Sequence, residues 1–114
     1  MTNFAAYDVA YELVAELKTI IEQLRKHSAE AADHVERAAI SILFNVAEGN
    51  RRYGRDPKRY FAIAAGSTSE VLAALDLARA WDWRISDERA RALIDRERAI
   101  LWGLTHPKRA RPHA

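Results

Sequence analysis

Cysteine is absent from this chain, which excludes a disulfide framework and any thiolate metal site. Glycine and proline are scarce, 4 and 3 among 114 residues, so few points force a break in regular structure. No unbroken apolar run approaches the ~20 residues that cross a bilayer. The start, Met1-Thr2-Asn3-Phe4, lacks the basic region and apolar segment of a signal peptide. A reducing cytoplasm is therefore the expected location, with no membrane partner. His27, His34, His106 and His113 form no facing ligand pair on a helix, and no His-Glu-x-x-His is present. Without a glycine-rich phosphate loop or a Ser-His-Asp signature as well, neither a metal nor a cofactor is expected.

Apolar residues make up 49% of the chain and charged residues 30%, the balance of a single globular domain with one modest core. Alanine, leucine, glutamate and arginine dominate, and all four favour helix. The formal charge of +2 is unevenly placed. Lys108, Arg109 and Arg111 put +3 on the last nine residues, leaving 15 basic and 16 acidic groups in the body. Any basic character of the body must therefore be local.

Apolar residues recur at spacings of three and four through four segments. From about Phe4 to His27, Ala10, Leu13, Leu17, Ile20 and Leu24 make one stripe. A second helix, capped by Ser28 or Asp33, carries Val35, Ala39, Ile42 and Val46 to about Glu48. Gly49 then stands where a left-handed residue ends a helix. Asp56-Pro57 reads as the cap and first turn of a third helix running to about Trp81, with Phe61, Ala64, Thr68, Val71, Leu75 and Ala78 inside. Mid-helix Gly66 suggests a close backbone approach, against Ala38 and Ala39. Ser86 caps a fourth helix whose stripe, Ala90, Leu93 or Ile94, Ile100 or Leu101, and Leu104, is interrupted by Glu97. Short connections make an all-α, antiparallel up-down-up-down bundle over residues 1–105 the economical fold, followed by a disordered basic tail over 106–114.

Two runs resemble a known family: Arg37-Ala38-Ala39-Ile40-Ser41-Ile42, Asn45-Val46-Ala47-Glu48-Gly49 and Arg52 on the second helix, and Phe61-Ala62-Ile63-Ala64-Ala65-Gly66-Ser67 with Glu70 on the third. They look like the signature of small bacterial four-helix bundles named for intervening sequences of 23S ribosomal RNA genes. Related bundles are accessory proteins of diversity-generating retroelements. The resemblance implies a ring-like homo-oligomer, commonly a pentamer, with suspected nucleic-acid binding and no catalytic residues. Leu43 stands where the family often has a proline, leaving a kink there without its usual cause. Ala74 replaces a frequent glutamine, so a polar contact of relatives is missing.

The strongest candidate site is the corner between the second and third helices. Arg51, Arg52, Arg55, Lys58 and Arg59 fall within nine residues, opposed only by Asp56, with Tyr53 and Tyr60 interleaved. Cations would hold phosphates of RNA or DNA and flat rings would take unstacked bases; an ordinary solvated corner with local ion pairs is the alternative. Asn45, Glu48, Ser67 and Glu70 could mimic a carboxylate active site. They read better as polar groups satisfying one another or pairing with the corner arginines. Trp81 and Trp83 bracket the last turn, far from Trp102, and serve either a subunit interface or the capping of the core. The expected protein is a non-enzymatic, ring-forming nucleic-acid binder; a scaffold docking a partner such as a reverse transcriptase is the alternative.

Overall fold

The computed structural model describes residues 4–52 and 56–107. Four helices follow one another: α1 (Ala5–Arg25), α2 (Ala29–Arg51), α3 (Pro57–Ala80) and α4 (Glu88–Thr105). Each packs on its neighbours around a square, α1 on α2, α2 on α3, α3 on α4 and α4 on α1. Their pairings fix the direction. Residues His34, Ser41 and Gly49 of α2 meet Glu70, Ser67 and Phe61 of α3, so one number rises as the other falls. Arg89 of α4 reaches Glu12 and Glu16 of α1, and Arg91 reaches Asp76 of α3. α2 and α3 therefore run antiparallel, and the chain is an all-α four-helix bundle.

The stripes read from the sequence form the core: Leu13, Leu17, Ile20 and Leu24 meet Ile42, Val35, Val46, Val71, Leu75, Ile94 and Leu101, all essentially shielded from solvent. Alanines at 6, 10, 32, 38, 39, 64, 78 and 90 fill the narrow layers between them. Small side chains let helix backbones approach. α2 runs unbroken through Leu43. By length and composition α3 could also cross a membrane, which the absence of an unbroken apolar run did not reveal. Its inner face is the core stripe of the bundle; its outer face, Ala62, Ile63, Gly66 and Ser69, is exposed and carries no charge.

Several local expectations need correction. Ser28 does cap α2, accepting from the Ala31 N–H at 3.0 Å, but Asp33 instead pairs with Arg25 at 2.8 Å. Gly49 lies inside α2, which continues to Arg51, and its backbone is not left-handed. It is glycine because the Phe61 ring occupies the space: an added Cβ would stand 2.8 Å from Phe61 Cδ1. Gly66 meets nothing, since its Cβ would point into open space rather than at Ala38 or Ala39. Asp56 precedes α3 in the left-handed region (φ 55°) and caps nothing through its side chain. Ser86 does not cap α4; Asp87 precedes that helix and is buried holding Arg79 (2.8 Å) and Arg91 (2.9 Å). Burial pushes the Asp87 carboxyl up, but the hydrogen bonds and charges of those two arginines outweigh it and hold the group below its ordinary range.

Glu97 does more than interrupt a stripe. It is 0% exposed, and neither carboxylate oxygen has a hydrogen-bond partner among the described residues. It lies on the inward side of α4 with Leu93, Ile94 and Leu101, one turn before and after it, all of them buried. Burial alone pushes its carboxyl up from 4.5 to about 8. The neutral acid is the form the core tolerates.

The packing at the two helical glycines has opposite consequences for substitution. Gly49→Ala should lower unfolding stability by ~1–3 kcal/mol through overpacking against Phe61, whereas Gly66→Ala should raise it by ~1 kcal/mol, both read by urea denaturation. Because Glu97 binds its proton more tightly folded than unfolded, its contribution to stability is fully present below pH 4.5 and is lost progressively up to about pH 8. Between about pH 5 and 7.5 this one group should remove about 3 kcal/mol, and Glu97→Gln should abolish that slope.

Candidate nucleic-acid interface

The last turn of α2 and the first turns of α3 meet through the Gly49–Phe61 contact, and Phe4 stacks on Phe61 at 5.6 Å. Three elements thus brace one end of the bundle. On it stand Arg51, Arg52, Lys58 and Arg59; Tyr53, Gly54 and Arg55 lie outside the described residues, as do Lys108, Arg109 and Arg111. Arg52 donates from Nε to Glu48 Oε2 at 2.9 Å, one turn back along α2, which realises the expected pairing of Glu48 with the corner. Its guanidinium also lies 5.0 Å from the centre of the Tyr60 ring, and that of Arg59 lies 5.8 Å from it. Tyr60 is therefore engaged by cations.

Arg51, Lys58 and Arg59 are exposed and have no carboxylate partner among the described residues. Lys58 and Arg59 sit in the first turn of α3, which holds no acidic residue and receives no side-chain cap. Unsatisfied N–H groups make a helix start electropositive, so cations there oppose the helix dipole and an anion is favoured. The corner gathers positive charge from both side chains and backbone.

A residue missed in the sequence completes the surface. Phe44 is 69% exposed and lines a cleft of about 400 Å³ with Asn45, Ala47, Glu48, Arg51 and Tyr60. The available signal was positional: Ile40 and Phe44 fall one turn apart, off the stripe of Val35, Ala39, Ile42 and Val46.

The polar motif residues resolve into separate tasks. The Asn45 amide donates to Ser41 O (2.8 Å) and Ser41 Oγ (3.1 Å), and Ser67 Oγ donates to Ser41 Oγ (2.8 Å). This chain of bonds ties α2 to α3 in mid-bundle. Glu70 instead pairs with His34 at 3.0 Å. The Phe61 and Glu70 levels of α3 differ by nine residues, roughly 13 Å of helix, so Glu48 and Glu70 are not a catalytic carboxylate pair. Among the described residues no group of three His, Asp or Glu could hold a metal ion.

The family model for the 23S rRNA-intervening sequence protein matches residues 2–102, nearly the whole chain. The chain belongs to that family. No match is found among curated proteins. The matched span covers all but the last three residues of α4 and so includes the corner between α2 and α3.

Placing Lys58 against the helix dipole carries a measurable consequence. Lys58→Glu should stabilise the bundle by ~0.5–1 kcal/mol at low salt, and added salt should erase most of the gain, as read by thermal unfolding.

Proposed function

We propose that this member of the 23S rRNA-intervening sequence family is a non-enzymatic bundle that assembles into a ring-like homo-oligomer, a pentamer being favoured, and binds RNA or DNA through its basic corner. The observation that carries the reading is that Arg51, Lys58 and Arg59 stand without carboxylate partners among the described residues, beside an uncapped helix start. By contrast Arg25, Arg79, Arg84, Arg89 and Arg91, toward the other end of the bundle, all have carboxylate partners. Guanidinium groups left free in this way suit the two-pronged grip on phosphate. Affinity then follows backbone charge and is largely independent of sequence.

Self-association is supported by apolar surface that one bundle leaves uncovered: Ile40 and Phe44 on α2, Ile63 with Ala62 and Gly66 on α3. A helix apolar on both faces is normally covered on both. A ring would repeat the corner around an axis, and several weak phosphate contacts would then act together. The same uncovered faces favour the second reading, a scaffold docking a partner protein such as a reverse transcriptase.

Filter binding to a mixed-sequence oligonucleotide at several salt concentrations tests the first reading, with solution mass measured by light scattering alongside. Arg51→Ala with Arg59→Ala should weaken binding and flatten the salt dependence by about two units of slope, one for each phosphate no longer neutralised. Glu48→Gln, which frees Arg52, should strengthen binding. An affinity unmoved by the double substitution would overturn the nucleic-acid reading, and a monomer in solution would remove the ring.

A further inference from the structure

At the end of the bundle opposite the corner, a cleft of about 410 Å³ opens between the start of α2 and the end of α3. Its rim is aromatic. Trp81 is 65% exposed and stands edge-on to Trp83, with ring centres 5.5 Å apart and planes at 82°. One side of Trp83 is backed by His27, stacked at 5.2 Å and 8°. The residues that follow the two tryptophans, Asp82 (φ 57°) and Arg84 (φ 56°), are both left-handed, a conformation costing ~1–2 kcal/mol for a side-chain-bearing residue. The turn thus carries two indoles at right angles on a backbone with two left-handed residues.

The walls are acidic and the floor is apolar. Glu30 and Glu70 line the cleft with His34, above Ala31, Ala74 and Leu77. Glu30 has no cationic partner among the described residues, and Glu70 meets only His34 Nε2 at 3.0 Å. The arginines nearby are committed elsewhere: Arg25 to Asp33, Arg79 to Asp87, Arg84 to Asp82 and Arg91 to Asp76. Exposed indole faces attract cations through the ring quadrupole, carboxylates supply the charge, and an apolar floor accepts the methylene stem of a long basic side chain.

We infer that this cleft is a receptor for an arginine side chain presented by a basic segment of a partner protein. The guanidinium lies over the Trp81 ring and donates to the Glu30 carboxylate, while its stem covers Leu77; Glu70, about 16 Å back along α3, adds negative charge at the far end of the cleft. The site is independent of the corner: it selects cationic groups, whereas the corner selects anionic ones.

Fluorescence anisotropy of a labelled Gly-Arg-Gly-Arg-Gly peptide, titrated with the full chain at low salt, tests this directly. Saturable binding is expected, while the counterpart with glutamate in place of arginine should not bind. Trp81→Ala should weaken binding on the order of 10-fold, and Glu30→Gln several-fold. Both side chains are exposed, so helix content by circular dichroism should stay unchanged. Absence of saturable binding, or binding indifferent to both substitutions, would overturn the assignment. Loss of peptide binding in the Arg51→Ala, Arg59→Ala variant would do the same, because it would place the peptide at the other end.

Discussion

The close contact between Gly49 and Phe61 is the constraint on which the candidate interface depends. A phenyl ring lies where a side chain at residue 49 would begin, so α2 and α3 approach nearer at that level than two ordinary residues allow. Phe4 closes the arrangement from the start of α1 by stacking on the same ring. The consequence reaches beyond packing. The end of α2 and the start of α3 are locked in register, and the cations on each are held on one rigid end instead of on a loose connection. A site built on helices keeps its geometry more closely than one built on a loop.

Much of the architecture was legible from periodicity alone. The stripe Leu13, Leu17, Ile20, Leu24 and its counterparts on α2 and α3 are the core, because a spacing of three and four puts residues on one helical face whatever the partner. The expectations that needed correction share a cause: they concern what a residue meets across space. Gly49 has the close approach expected of Gly66, since a glycine in sequence does not say whether it is needed for conformation, for closeness, or for neither. Asp56 and Ser86 have cap chemistry but lack cap geometry, and Asp87 is drawn into an ion network with Arg79 and Arg91 that only folding assembles. Of the corner, the charges could be read but not their partners. The engagement of Arg52 by Glu48 and of Tyr60 by two guanidinium groups emerges only in three dimensions.

Local choices that work against stability are informative because most of this chain obeys helix chemistry. Glu97 places a carboxyl in the core with no partner among the described residues. Lys58 and Arg59 sit at the wrong end of a helix dipole, in a first turn without acid. Asp82 and Arg84 hold left-handed backbone around Trp83. A sequence selected only for folding would have little reason to keep these features, and consistency across levels fails mainly where something else is required. Two of the three coincide with the ends of the bundle, where the candidate surfaces lie.

Those ends differ in a way that net charge conceals. At one, Arg51, Lys58 and Arg59 have no carboxylate partner among the described residues; at the other, arginines are paired with aspartates, and Glu30, with no cationic partner among the described residues, lines a cleft with the exposed Trp81. Between them, the outer face of α3 carries no charged residue from Phe61 to Ser69. Polar ends of opposite preference separated by an apolar flank suit lateral association, because stacking flank to flank in one orientation keeps like ends together. Such an assembly concentrates each preference on its own face. An end-to-end assembly would instead set the basic corner of one copy against the acidic cleft of the next and cover both surfaces.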